Sequence, residues 1–172
     1  KVFCFASNAN PNNKIQSIDI TSLQSIEESL SPVSPEIIIN CAAYTQVDLC
    51  ETEKKRASLV NALGPENLSI FSSKNSIPLI HFSTDYVFDG KKKGPYVEDD
   101  PTNPINAYGE SKLRGELAIK KHCSKYYLFR IQWLYGKNGP NFIKTIANLA
   151  KTKKALNIVS DQWGSPTWTK EV

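Results

Sequence analysis

The run Ile37-Ile38-Ile39 places the strongest constraint on how this 172-residue chain can fold. It is β-branched throughout and has no polar alternation, which is typical of a strand buried on both faces of a parallel sheet. Shorter apolar runs at 2–6, 77–82, 127–131 and 156–159 predict four more strands. Because helical segments separate these strands, the pattern predicts an α/β protein with right-handed βαβ units and a doubly wound parallel sheet.

Helical periodicity predicts the intervening elements. In the segment 23–30 apolar residues recur at i, i+3 and i+7, and Thr21 or Ser22 can cap that helix. Further helices are predicted at 53–74, with a weak point at Gly64-Pro65, and at 105–122 and 141–151. The segment 83–104 is rich in Asp, Gly and Pro, and a loop of that length in a compact domain is usually functional.

Composition excludes several classes of protein. A net charge of +4 is mild and does not demand nucleic acid. No run of 18 apolar residues is present, and the first residues are too short for the apolar part of a signal peptide, so neither a membrane partner nor secretion is expected. The four cysteines form no Cys-x-x-Cys pair and the two histidines have no zinc spacing, so no metal site is predicted. His81, inside an apolar run, is interpreted as a core residue, and the free thiols favour a cytoplasmic location.

Tyr108 and Lys112 carry the clearest chemical signal. They are four residues apart, which on a helix puts both side chains on one face, one turn apart. An ammonium beside a phenol is expected to lower the pKa of the phenol toward the range useful for general acid–base catalysis. The spacing alone is a weak signal, because a packed tyrosine and a solvated lysine are common on helices.

Three polar stretches, at 40–43, 83–86 and 132–136, directly follow predicted strands. Ligands of parallel sheets bind beyond the carboxyl ends of the strands. The first stretch has small residues that let a ligand approach the backbone, the second has hydroxyls that can bond a substrate oxygen, and the third has aromatic surface. The helix with Tyr108 and Lys112 follows the second stretch, so we expect these groups to converge at one edge of the sheet.

Four motifs, in order along the chain, resemble the extended short-chain dehydrogenase/reductase family and within it the dTDP-4-dehydrorhamnose reductases. They are Ile-Ile-Ile-Asn-Cys-Ala-Ala-Tyr-Thr-Gln-Val-Asp at 37–48, Ser-Thr-Asp-Tyr-Val-Phe-Asp-Gly at 83–90, Tyr-Gly-Glu-Ser-Lys-Leu at 108–113 with Gly115-Glu116, and Asp-Gln-Trp-Gly-Ser-Pro-Thr at 161–167. The resemblance spans residues 19–167. The second and fourth motifs favour the reductase branch over sugar epimerases.

The resemblance implies NAD(P)H-dependent reduction of a nucleotide-linked 4-keto-6-deoxy sugar, with NADPH slightly favoured over NADH. It assigns catalysis to Tyr108 as proton donor, to Lys112 as the residue that holds the nicotinamide ribose, and to Thr84 as a hydrogen-bond donor to the substrate carbonyl. Besides Tyr108 and Lys112, the implied cofactor contacts are Asp19, Ile20, Ala42, Ala43, Tyr44, Asn61 and Ser83. Besides Thr84, the implied sugar-pocket residues are Val47, Tyr86 and Trp133.

The chain departs from the family near its start. A dinucleotide fold opens with a strand, a Gly-x-x-Gly-x-x-Gly-type turn and a helix N-terminus that cradles pyrophosphate, whereas the first glycine here is Gly64. The spacing of the run 2–6 suits the second strand of such a fold. We therefore expect a Rossmann-type domain over 1–160 that lacks its first βα unit and has an unpaired sheet edge, followed at 161–172 by the start of a C-terminal substrate domain.

Two further matters stay open from the sequence. The resemblance allows a homodimer and a Mg²⁺ ion at a subunit interface, but no ligand cluster for the ion is recognisable. The regulatory subunit of methionine adenosyltransferase also resembles this branch, including its Asp-Tyr-Val-Phe-Asp-Gly and Tyr-Gly-x-x-Lys stretches. A non-catalytic regulatory or binding subunit is therefore the alternative function, because an intact Tyr-Lys pair does not prove turnover.

Overall fold

A computed structural model describes residues 1–172, which divide into two compact units, Lys1–Phe129 and Arg130–Val172. The division falls before position 160, where the sequence placed the end of the dinucleotide-binding domain. The units are compact regions of the chain, and the functional boundary at 160 stays a prediction. No helix of the structure is both long enough and apolar enough to cross a membrane.

The first five strands of the chain form two separate sheets. Strand β1 (Cys4–Ala6) pairs parallel with β2 (Ile15–Ser17), and β4 (Leu79–Thr84) lies between β3 (Ile38–Asn40) and β5 (Tyr126–Ile131). Strand β3 is parallel to β4, with Asn40 opposite His81. The α/β architecture with parallel pairing is confirmed. Strand β2 was missed, since its three residues lie beside an Asn/Pro-rich loop and show no clear pattern.

The isoleucine run is a strand, but the expectation that both of its faces are buried is wrong. Ile38 is 8% exposed, whereas Ile37 is 46% and Ile39 is 57% exposed. The reason is that only the face of β3 that carries Ile38 packs on the core, while the opposite face, with Ile37 and Ile39, is left uncovered. Strand β3 is also an edge strand of its sheet, and no strand connects it to the β1–β2 pair. The predicted unpaired edge is therefore present at β3.

The helices of the first unit are α1 (Leu23–Leu30), α2 (Val47–Thr52), α3 (Lys54–Ser58), α4 (Gly64–Lys74) and α5 (Ala107–His122). Ser22, one of the two predicted caps, accepts a hydrogen bond from the Ser25 N–H. The predicted helix 53–74 is present but interrupted, because the turn Leu59–Leu63 between α3 and α4 is π-helical. The short helix α2 was not predicted.

A single apolar cluster ties α1, α4 and α5 to strands β3 and β4. Its buried members are Ile18, Ile26, Leu30, Ile38, Leu68, Phe71, Leu79, Ile119 and Cys123. This cluster fixes α5 against β4, which are the two elements that carry most of the predicted catalytic residues.

The second unit contains helix α6 (Phe142–Leu149) and two short parallel strands, β6 (Leu134–Tyr135) and β7 (Thr167–Trp168). The prediction of a strand at 156–159 is wrong: these residues have no strand partner, and Ile158 and Val159 are exposed. An apolar run forms a strand only where a neighbouring strand provides hydrogen-bond partners for its backbone N–H and C=O groups.

Candidate active site

Two glycines let helix α5 approach the rest of the site closely. A Cβ atom on Gly109 would lie 2.1 Å from the Tyr86 carbonyl oxygen, and one on Gly115 would lie 2.2 Å from the Asn61 carbonyl oxygen. Both neighbours are backbone atoms, so a larger residue would force α5 away. Gly109 therefore sets the distance between α5 and the loop after β4, and Gly115 sets the distance between α5 and the π-helical turn Leu59–Leu63.

Tyr108 lies next to the end of β4, as the sequence predicted. Its ring meets the Tyr86 ring edge-on, with 5.6 Å between centroids. Burial raises the pKa of the phenol to about 12, a hydrogen bond with the Thr84 side chain lowers it in part, and the Asp85 carboxylate raises it further. The expected lowering of the Tyr108 pKa by Lys112 is therefore not found: burial dominates, and the phenol is held in its protonated form.

Lys112 is 2% exposed and lies under β4. Its Nζ donates a hydrogen bond to the Phe82 carbonyl oxygen at 2.6 Å and lies 3.4 Å from His81 Nε2. Burial lowers the pKa of this amine to about 8, against the buried Glu116 carboxylate, which raises it. The amine is therefore engaged with β4 in this structure, which explains why it leaves the Tyr108 pKa unaffected.

Three buried polar side chains around Lys112 had no functional role in the sequence analysis: Asn40, His81 and Glu116. Asn40 Nδ2 lies 3.1 Å from His81 Nδ1, and the pKa of His81 is lowered to about 3 by burial and by the Lys112 charge. The register that places Asn40 opposite His81 is not readable from the sequence, because it depends on strand pairing. The only signals in the sequence were His81 inside an apolar run and Asn40 directly after the isoleucine run.

Asn61 holds the loop after β3 against α5. Its Oδ1 accepts from the Tyr44 N–H at 2.8 Å, and its Nδ2 donates to the Tyr44 carbonyl and to Ser111 Oγ, each at 3.0 Å. The Asn61 side chain is 1% exposed and its amide is fully used within the protein. This geometry gives Asn61 a positioning role, and a direct cofactor contact by its side chain would require these bonds to break.

Ser83 differs from Asn61, since its buried hydroxyl at the end of β4 has no hydrogen-bond partner. A buried polar group without a partner is costly, so this hydroxyl is available to bond a ligand at the sheet edge. The loop residues Ala42, Ala43 and Tyr44 follow β3 at the same sheet edge and are exposed or half-buried. These four predicted cofactor residues therefore lie beyond the carboxyl ends of neighbouring parallel strands.

The remaining predicted residues are placed as follows. Asp19 and Ile20 follow β2; the Asp19 carboxylate accepts from the Thr21 N–H and hydroxyl, and the Ile20 carbonyl accepts from Asn67. Val47 begins α2, and Tyr86 is half-buried against Tyr108. Their roles stay predictions.

Trp133 lies in the second unit, where it adopts a positive φ of 45° and is 44% exposed. Gly164, in the fourth motif, lies against Gln132 and Trp133: an added Cβ would be 2.4 Å from Gln132 Oε1. The third polar stretch and the fourth motif are thus adjacent within this unit. The role of Trp133 in a sugar pocket stays a prediction.

No cluster of three or more His, Cys, Asp or Glu side chains that could hold a metal ion is present in the structure. The site is instead a phenol, a hydroxyl and a buried amine at the carboxyl edge of a parallel sheet. That fold and that set of groups define a Rossmann-type α/β protein suited to carbonyl chemistry on a bound ligand.

The comparisons with known proteins identify the family. Residues 6–172 match the family described as RmlD substrate binding domain, and the chain belongs to it. The sequence is 42% identical over 155 residues to the spore coat polysaccharide biosynthesis protein SpsK of Bacillus subtilis, covering 90% of this chain and 55% of that protein. It is 41% identical over 149 residues to the dTDP-4-dehydrorhamnose reductase of Escherichia coli K12, covering 87% of this chain and 50% of that protein.

A solved structure shows the same fold. The dTDP-4-dehydrorhamnose reductase of Bacillus anthracis in complex with NADP superposes with a TM-score of 0.87 at 39% identity, over 96% of this chain and 61% of that one. The Rossmann-type fold class is therefore confirmed, as is the resemblance to this reductase branch. The chain spans about half the length of the curated relatives it matches.

Proposed function

We propose that this chain forms the catalytic half of an NAD(P)H-dependent reductase of a nucleotide-linked 4-keto-6-deoxy sugar, similar to the dTDP-4-dehydrorhamnose reductases. The observation that carries the proposal is the partly buried Tyr108 phenol, which lies against the Tyr86 ring and beside the Thr84 hydroxyl at the end of β4. A neutral phenol beside a hydroxyl donor is what the reduction of a ketone needs, because negative charge develops on the carbonyl oxygen.

The reduction adds one hydride and one proton to the ketone. When bound, a nicotinamide cofactor would supply the hydride for the carbonyl carbon. Tyr108 donates its phenolic proton to the carbonyl oxygen, which becomes the hydroxyl. Thr84 Oγ1 donates to Asp85 Oδ1 at 3.0 Å in this structure, and it would redirect that hydrogen bond to the carbonyl oxygen of a bound substrate. The phenolate left on Tyr108 then takes a proton from solvent, so the protein returns to its starting state.

One further observation supports a dinucleotide site: the buried Ser83 hydroxyl at the carboxyl edge of the sheet has no partner within the protein. Ser83, with Ala42, Ala43 and Tyr44, would contact the nicotinamide end, Lys112 would hold its ribose, and Asp19 and Ile20 would contact adenine. Residues 1–63 contain no glycine, so no Gly-rich phosphate turn occurs among them. The choice of NADPH follows the relative that was solved with NADP.

Val47, Tyr86 and Trp133 complete the proposal as sugar-pocket residues. A homodimer is part of the same proposal, whereas Mg²⁺ is not, since the structure offers no ligand cluster for it. The four free cysteines fit the reducing cytoplasm. The alternative, a regulatory subunit, gains no support from the relatives described above, two of which carry reductase names.

Hydride transfer by the full-length protein tests this function. NADPH oxidation is followed by its absorbance with dTDP-4-keto-6-deoxy sugar as substrate, and Tyr108→Phe should lower kcat by about 10²- to 10⁴-fold because the proton donor is lost. Its affinity for NADPH should stay within about twofold, since the phenolic oxygen is the only atom removed.

Tyr127→Phe is the matched control. Tyr127 is 59% exposed on β5 and takes no part in the site, so this variant should turn over like the wild type. Normal turnover by the Tyr108→Phe variant would refute the proposed mechanism. Absence of any hydride transfer by the wild type, with NADPH and NADH alike, would refute the reductase function and favour the regulatory alternative.

A further inference from the structure

A chain of buried polar groups leads from the loop after β3 to Lys112. The Ala42 N–H donates to Asn40 Oδ1 at 3.0 Å, Asn40 Nδ2 meets His81 Nδ1 at 3.1 Å, and His81 Nε2 meets Lys112 Nζ at 3.4 Å. Asn40, His81 and Lys112 are 4%, 0% and 2% exposed. These contacts are therefore shielded from water, and the groups must satisfy one another.

The first link fixes the direction of the others. Because the Ala42 N–H can only donate, it holds the oxygen end of the Asn40 amide, and the amide nitrogen must face His81. His81 Nδ1 then accepts, so the proton of the neutral imidazole sits on Nε2. That Nε2–H points at Lys112, where an ammonium has no lone pair to receive it, whereas a neutral amine has one.

We propose that His81 is a positioning residue for Lys112: Asn40 holds the imidazole in its Nε2–H form, and this form shifts the lysine between the ring and the Phe82 carbonyl toward its neutral amine. In the neutral state the amine accepts from His81 Nε2–H and donates to Phe82 O, so Asn40, His81 and Lys112 each have a partner. The importance of this arrangement for catalysis rests on the proposed function, because Lys112 belongs to that site.

The other polar groups near Lys112 either favour its ammonium form or carry no charge. Glu116, one turn further along α5 and 0% exposed, favours the ammonium. Tyr108, one turn before Lys112, is uncharged because burial raises the pKa of its phenol to about 12. Strand β4 contributes the uncharged His81, and β3 contributes the neutral Asn40. Glu116 favours the ammonium form of Lys112, and the Nε2–H tautomer of His81 is thus the feature in direct contact with Lys112 that favours the neutral amine.

The tautomer and the titration of Lys112 can be measured in the full-length protein by NMR, without any turnover. Imidazole ¹⁵N shifts should show His81 protonated at Nε2 and uncharged down to about pH 5, as its lowered pKa requires. The Asn40→Asp variant keeps an acceptor for the Ala42 N–H but can only accept from His81, so it should move the proton to Nδ1. The bare Nε2 then accepts from the ammonium, and the Lys112 midpoint, read from its ¹³Cε shift, should rise by about one pH unit or more.

The added charge in Asn40→Asp is separated from the tautomer by repeating that substitution in a His81→Phe background. There the rise in the Lys112 midpoint should fall to less than half, since only the charge acts. His122→Gln, which removes the other histidine of the chain, should leave the Lys112 midpoint unchanged. An Nδ1–H tautomer in the wild type, or an equal rise with and without His81, would overturn the proposal. Turnover is assayed separately, so loss of the reductase function would not be mistaken for loss of this arrangement.

Discussion

Helices α5 and α6 begin in the same way but have very different surroundings. Each is capped by an asparagine: Asn106 Oδ1 accepts from the Gly109 N–H at 2.7 Å, and Asn141 Oδ1 accepts from the Lys144 N–H at 3.1 Å. Helix α6 has the cleaner apolar stripe, yet none of its residues is buried. Helix α5 has a weak stripe, but its buried residues are Ala107, Gly109, Ser111, Lys112, Gly115, Glu116 and Ile119.

The comparison shows that the formation of a helix and the burial of a helix have different causes. A cap and good helix formers are local properties, and both helices have them. The burial of a helix depends on the surface against which it packs. Helix α5 packs against β4 and the π-helical turn, and the side chains at this contact are small residues together with Lys112 and Glu116. Burying two charged side chains is costly unless they are paired. The face of α5 is therefore explained by the chemistry of the site rather than by core formation.

The largest expected effect contrasts a glycine of α5 with an alanine of α6. Gly115→Ala places a Cβ against the Asn61 carbonyl and should lower the free energy of unfolding by about 1–3 kcal/mol, because the backbone there cannot yield cheaply. Ala147→Gly on the exposed face of α6 should cost at most about 1 kcal/mol through helix propensity alone. Urea denaturation measures both, and equal costs would remove the distinction between the helices.

A second effect concerns the strand on which α5 packs. The pKa of His81 is lowered from 6.5 to about 3 by burial, so the unfolded chain binds a proton in this range that the folded chain does not. Stability due to this group is complete above pH 6.5 and is lost as the pH falls toward about 3. Between pH 6.5 and about 5 the loss should be on the order of 1 kcal/mol.

The His81→Phe variant isolates that loss, because it lacks the titrating group and should show a shallower fall in urea midpoint over the same pH range. His122→Gln is the control for α5 itself. His122 lies 3.5 Å from Glu66 and is partly exposed, so this variant replaces the other histidine of the chain without touching His81 or its partners. Parallel pH profiles for wild type and His81→Phe would mean that His81 is not buried in the neutral form.

The smallest effect tests the feature that the two helices share. Asn106→Ala and Asn141→Ala each remove a cap and should cost about 1 kcal/mol, with Ser in place of either asparagine restoring most of it. Amide hydrogen exchange in each helix locates the effect. A cost confined to α5 would show that α6 forms only when its apolar stripe is covered.

Much of the fold was predictable because its signals are local. The segment 23–30 with Ser22 as cap, the α5 helix and strands β3, β4 and β5 all follow from periodicity and capping. The predictions were wrong where the outcome depends on which other elements pair with or pack against a segment. The run 156–159 has strand composition but no strand to pair with, and Ile37 and Ile39 are exposed because only the opposite face of β3 packs on the core.

The candidate site divides in the same way. Spacing and order are properties of the chain, so the sequence was enough to place Tyr108 and Lys112 on one helix face after a strand ending in Ser83 and Thr84. The contacts of each side chain depend on packing and strand pairing, which the sequence does not show. Burial, which is set by packing, raises the pKa of Tyr108, and the pairing of β3 with β4 places Asn40 beside His81 and so turns an apparent core histidine toward Lys112.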